Sequence, residues 1–227
     1  MSARRFYTLA AATAENGVAL DGKPVRTPGK AALILPSAAL AAAVAAEWQA
    51  QGPKLKPLTM PLTKLANTAI DKVRAARAGV VAEMVSYAGT DLTCYRAAGP
   101  EPLRRRQSAA WDPVLAWALV ALDAQFNTTE SLIHRTQSVG ALAAVEAELA
   151  THDEFALSAL WALTMLTGSA LLALMLEAGA ITADAAWAAA HVDEDWQAEQ
   201  WGADAEAAAK RASARAEFDA AAVFLRE

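Results

Sequence analysis

The sequence predicts an α+β protein: a small β-containing amino-terminal domain followed by a larger all-α helical domain. Three observations carry that expectation. All nine prolines lie at or before Pro113, and six fall within the first 61 residues. Proline removes a backbone donor and breaks helix interiors, so the two halves should differ in architecture. Two turn dipeptides, Asn16-Gly17 and Asp21-Gly22, sit near the start. Both supply the positive φ that tight hairpin turns need. Beyond Pro61, apolar residues recur at i, i+3 and i+4, the helical spacing. The expected division is 1–60 for the β-rich domain with one helix and 61–227 for the helical domain.

The elements follow in order. Val18 to Leu20 and Lys23 to Thr27 are expected to pair as strands, and "AALILP" (31–36) is another short strand. Ser37 can cap a helix that runs to about Gln51, where Gly52 and Pro53 stop it. Pro53, Pro57 and Pro61 hold an extended connector. Leu62, Leu65, Ala66, Ala69, Ile70 and Val73 then form an amphipathic stripe, and another helix runs from about Ala75 to Tyr87. "GTDLTCYR" is irregular or extended. Pro100 to Leu122 is helical, with a bend expected at Asp112-Pro113. Residues 138–150, 154–166 and 169–178 are three more helices. Thr182 caps another, Asp193 opens one more, and a last helix starts at Asp204 or Ala203.

The formal charge of −5 argues against a nucleic-acid protein, which usually carries a basic excess. "RRRQ", Arg104 to Gln107, is the one basic run. It reads as a solvated helix face that could meet acidic groups elsewhere in the fold. Cys94 is the only cysteine, so an internal disulfide and a Cys-based metal cage are both excluded. Its default reading is a small apolar core residue. The amino terminus has no long apolar signal core and is too short for a transit peptide before the first strand. Phe155 to Leu176 contains no charged residue and is long enough to span a bilayer. Thr167-Gly168-Ser169 interrupts it, and its flanks carry Asp153, Glu154 and Glu177 without a basic anchor. A buried helical hairpin is therefore expected, with no membrane insertion.

No phosphate-cradling glycine loop, dinucleotide fingerprint or nucleophile elbow occurs, and no cofactor is expected. The three histidines are far apart in sequence. His191 with Asp193 and Asp195 is the one grouping that suggests a metal, but "HVDED" lacks the glycine turn of a hard-cation loop. The stretch "DEDWQAEQWGADAE", Asp193 to Glu206, holds six carboxylates and two indoles without one Lys or Arg. Asp193, Glu194 and Asp195 would complement a helix amino end. Trp196 and Trp201 are five residues apart, about 140° around a helix, so one can face the core and the other a partner. A small hydrolase could use Asp195 and Glu199, with His191. A solvated helix with core tryptophans is a second reading. A protein-binding surface is a third, since Trp is enriched at hot spots and carboxylates select basic partners.

Six segments in order resemble one family: "LDGKPVRTP", "LPSAALAAAVAAEWQAQG", "MPLTKLANTAID", "GTDLTCYRA", "WDPVLAWA" and "VDEDWQAEQWGADAE". Together they resemble the ATP12 family, assembly chaperones of the F1 sector of ATP synthase, from about Arg4 to past Glu206. The resemblance implies the same small β-containing domain and helical domain. It implies a non-enzymatic protein that binds the free F1 α subunit until β replaces it; the sequence leaves the oligomeric state open, with a monomer when free as the expectation. Without a transit extension, a bacterial cytoplasmic relative is expected; eukaryotic members act in the mitochondrial matrix. The family pattern puts the protein-binding residues at Glu194 first, with Asp193, Asp195, Trp196, Gln197 and Trp201. Trp48, in the matching Glu47-Trp48 pair, is expected to be core. After Phe126 this chain reads "IHRTQ" where the family often shows a "PVEQ"-like segment. Only Gln137 survives, and no site is expected there.

Overall fold

The computed structural model describes residues 4–131, 134–202 and 204–226. Ala203, the alternative start of the last helix, and Ile133 of the "IHRTQ" segment lie outside them.

Three short strands, β1 (Ala10–Ala12), β2 (Val18–Leu20) and β3 (Lys23–Pro24), form an antiparallel sheet in the order β1-β2-β3. Ala10 pairs with Leu20 and Ala12 with Val18. Both expected turns use left-handed backbone: φ is 57° at Asn16, 47° at Asp21 and 78° at Gly22. The Asp21 carboxylate accepts from the Leu9 and Thr8 amides, which holds its pKa below the usual value. The strand expected over 23–27 stops at Pro24, although the Val25 amide still donates to the Val18 carbonyl at 2.8 Å. "AALILP" likewise meets the sheet only through the bridges Gly17–Ile34 and Arg26–Ala32.

Helix α1 (Ala38–Gln49) begins where Ser37 Oγ accepts from the Leu40 amide. Near its end, Glu47 reaches across to α2 (Pro61–Thr68). Its carboxylate accepts from the Leu62 and Thr63 amides at 2.7 and 2.8 Å and from the Thr63 hydroxyl at 2.8 Å. Pro61 has no N–H to give, so Glu47 satisfies the next two orphan donors of α2. Burial nonetheless pushes the Glu47 carboxyl up.

Helix α2 passes through a π-helical turn, Ala69–Val73, into α3 (Arg74–Gly89). The break expected between the two helices is a kink at Ala76, where φ is −121°. The predicted stripe is buried at Leu65, Ala66, Ala69, Ile70 and Val73. Helix α4 (Glu101–Leu122) carries Pro113 inside it.

Six helices follow: α5 (Val139–Thr151), α6 (Glu154–Thr167), α7 (Ala170–Glu177), α8 (Ala183–Ala190), α9 (Val192–Trp201) and α10 (Ala205–Phe224). Ser138, Asp153, Ser169, Thr182 and Asp204 cap five of them, each accepting from a first-turn amide. The sixth corrects an expectation. Asp193 does not cap α9; His191 both closes α8 and opens α9. With no linker left between the helices, Asp193 falls inside the first turn.

Helices α6 and α7 form the expected hairpin, turning at Gly168 with φ 69°. Leu157, Leu160, Leu163, Leu171 and Leu172 are buried in it. Among the described residues no helix is long and apolar enough to cross a membrane. One continuous core joins Val18, Leu35 and Leu40 to Ile70, Trp111, Leu160 and Phe218. Cys94 is buried in that core, and burial pushes its thiol up to about 12, so the reactive thiolate is absent at neutral pH.

Candidate functional site

Helix α9 is short, has no fully buried residue, packs on α4, and is tied to α10 by an ion pair. Its three faces do different things. The first turns to α4. Asp193 Oδ1 accepts from Gln107 Nε2 at 2.7 Å. The Arg106 guanidinium lies 5.0 Å from the Trp196 ring centroid and pairs with Glu199 at 2.7 Å. Residues 193, 196 and 199 are three apart, so one stripe carries all three contacts. The "RRRQ" run thus meets the acids of α9, with Arg104 on Glu130 and Arg105 on Glu101. Hydrogen bonding from Arg106 holds the Glu199 carboxyl below its usual pKa.

The second face turns to α10, where Asp195 pairs with Arg211 at 2.5 Å. That bond raises the already high pKa of Arg211.

The third face is open. Glu194, Gln197 and Trp201 follow at i, i+3 and i+7 and line a groove of about 710 Å³ with residues of α10 and Leu166 of α6. Trp201 is 79% exposed. The Glu194 side chain is 66% exposed; its Oε2 lies 3.8 Å from His191 Nε2, and Arg211, which lines the same groove, feels its charge. His191 itself is held: its Nδ1 lies 2.8 Å from the Trp187 carbonyl, and its ring stacks on Trp187 at 3.8 Å.

The six residues expected to bind a partner therefore separate. Glu194, Gln197 and Trp201 share the groove. Asp193, Asp195 and Trp196 hold α9 against its neighbours. The grouping of His191 with Asp193 and Asp195 does not form, because Gln107 and Arg211 take the two carboxylates. Trp48 is half-buried against Tyr7, with ring centroids 5.9 Å apart, and Tyr7 Oη donates to its carbonyl. Gln137 is buried and braces a loop through paired hydrogen bonds with the Asn127 backbone. Sequence reasoning missed the partition of α9. Arg106 was visible in the basic run, but Arg211 gave no signal of its own.

The fold and this surface can be set beside known proteins. A family model described as ATP12 chaperone protein matches residues 4–119. The crystal structure of the Atu1473 protein from Agrobacterium tumefaciens is similar at 44% identity and TM-score 0.92, over 98% of this chain and 85% of that one. Atp12 from Paracoccus denitrificans is similar at 42% identity and TM-score 0.90, over 99% of this chain and 97% of that one. An aspartate-to-lysine mutant of the Paracoccus protein matches at 43% identity and TM-score 0.90, with the same coverage. The architecture is thus that of a chaperone class, a small antiparallel sheet followed by a helical body. The chain belongs to the ATP12 chaperone protein family.

Proposed function

We propose that this chain is an assembly chaperone for the F1 sector of ATP synthase. It binds the free α subunit and covers its subunit interface until β replaces it. The observation that carries the reading is the open face of α9: an indole 79% exposed, beside a carboxylate side chain 66% exposed. Exposed Trp is a residue type that often anchors an interface, and an exposed carboxylate favours a basic partner. Glu194, Gln197 and Trp201 make the contact. Asp193, Asp195 and Trp196 set the position of α9 behind them.

A lone α subunit exposes apolar interface that would self-associate. A chaperone that binds only the folded, unassembled state stabilises it by mass action. The contact must then yield to β, which suits a mixed polar and aromatic surface better than a fully apolar one. No nucleotide or metal takes part in this exchange. In the same reading the free chain is a monomer of the bacterial cytoplasm. The chain divides near residue 60, and Glu47 ties the two parts together. The alternative, a hydrolase using Asp195, Glu199 and His191, has less support. Arginines occupy both carboxylates, and the groove reaches His191 but neither of them.

Co-expression of the F1 α subunit with and without this chain tests the reading. Soluble α is expected only with the chain present. Equal aggregation in both cultures would remove the proposal. Glu194→Lys should reduce the effect without unfolding the chain. The Paracoccus mutant matches this fold at the same TM-score, 0.90, as its parent, so an acid-to-lysine reversal is tolerated in that protein.

A further inference from the structure

A second polar cluster lies where the carboxyl ends of α5 and α7 meet. Glu148 is on the last turn of α5, His152 is its C-cap, and Glu177 ends α7. One ligand atom from each lies within 4.8 Å of the other two. The His152 side chain is only 9% exposed.

The ring's tautomer follows from its neighbours. Nδ1 lies 3.0 Å from the Glu148 carbonyl oxygen, which can only accept, so Nδ1 carries the proton. The Thr151 hydroxyl, 3.2 Å away, can accept from the same proton. In the neutral ring Nε2 then carries a lone pair. That lone pair faces Glu177 Oε1 at 3.4 Å. Two acceptors face each other, which is unfavourable unless a cation sits between them. The spacing is longer than a charge-assisted N–H···O bond of about 2.7–2.9 Å. It matches the edge of a coordination tetrahedron, about 3.4 Å for metal–ligand bonds of about 2.1 Å. A metal-bound histidine commonly donates its other N–H to a backbone carbonyl, as His152 does to Glu148.

The surroundings favour the same charge. Neither α5 nor α7 has a basic residue in its last turn; Arg77 of α3 answers the α5 end, and the α7 carboxyl end directs partial negative charge at the cluster. Arg77 donates to the Ala150 and His152 carbonyls, which fixes the backbone that carries the ring. His191 makes a similar donation to Trp187, but its other nitrogen meets a single exposed carboxylate at 3.8 Å.

We propose that Glu148, His152 and Glu177 bind one divalent transition-metal ion of the Zn2+ type, with water completing the tetrahedron, and so clamp the end of α5 to the end of α7. One imidazole and two carboxylates suit Zn2+ or Co2+ better than Ca2+, which takes more oxygens. The site is separate from the α9 groove and independent of the partner proposed above.

The experiment uses the purified full chain, stripped with chelator and titrated with Zn2+ by calorimetry. Co2+ in parallel gives an absorption signature of tetrahedral nitrogen and oxygen ligation. One equivalent should bind, and Tm should rise by about 5–10 °C at a hundred-fold excess over Kd. His152→Asn and Glu177→Gln should each weaken binding at least about ten-fold, while His134→Asn leaves it unchanged. Glu177 is exposed, so its variant keeps the test valid if His152→Asn folds poorly. Absence of saturable binding to the folded wild-type chain overturns the proposal. So does binding that survives both variants, or stabilisation that follows pH alone, which would put a proton where the metal is placed.

Discussion

A lone carboxylate and a group of three stand near helix amino ends in this molecule and meet opposite surroundings. Asp91 is fully buried beside the start of α7. It accepts from the Ser169 hydroxyl at 2.7 Å, the Thr93 hydroxyl at 2.7 Å, and the Thr93 and Leu171 amides at 3.1 Å each. Asp193, Glu194 and Asp195 lie in the first turn of α9 at the surface. The first is enclosed by neutral donors; in the second Gln107 answers Asp193 and Arg211 answers Asp195, while the Glu194 side chain stays 66% exposed. The difference teaches that a carboxylate at a helix end is not itself a site. What matters is which of its oxygens the fold has already used.

The largest effect expected from breaking this contrast is at Asp91. Asp91→Ala strands two hydroxyls and two amides in the core and should cost about 3–5 kcal/mol in denaturant unfolding. Burial raises the Asp91 pKa above its ordinary value. Between the ordinary aspartate value and this raised one, the folded chain keeps a proton that the unfolded chain has released. Stability from this group is highest below the ordinary aspartate range and falls as pH rises toward the Asp91 value. Asp91→Asn should flatten that slope.

Glu47 comes next. Glu47→Ala removes the acceptor of two α2 amides and should cost about 2–3 kcal/mol, read as a lower midpoint with an unchanged slope in urea.

Smaller still is the clamp between α4 and α9. Arg106→Ala should lower Tm slightly in dilute buffer and not at all in high salt, because exposed pairs are screened. The lowered pKa of Glu199 gives this pair a pH sign: its contribution is present above the ordinary glutamate range and is lost as pH falls through the Glu199 value.

Much of the fold was legible in the sequence because its signals are local. Asn16-Gly17 and Asp21-Gly22 need only neighbouring residues to define a turn. Ser37, Thr182 and Asp204 cap helices within three positions. The stripe from Leu65 to Val73 is a matter of period alone. What stayed hidden depends on distant partners. Glu47 gave no sign that it caps a helix fifteen residues on. Trp201 was legible as an indole turned about 140° from Trp196. The loss of Asp195 to Arg211, and of Glu199 to Arg106 some ninety residues away, was not. The acidic stretch looked uniform in sequence because the arginines that sort it lie on other helices.

The smallest effect on stability is expected at the open face, where the largest effect on binding should fall. Trp201→Ala and Glu194→Lys should each leave Tm within about 1–2 °C. The measurement that bears most directly on the role of this face is the affinity of the purified chain for the F1 α subunit, compared with these two variants. Trp201→Ala is predicted to bind about 30-fold more weakly and Glu194→Lys about ten-fold, with the wild-type fold retained. Wild-type affinity in both folded variants would contradict the assignment of the α9 groove as the contact.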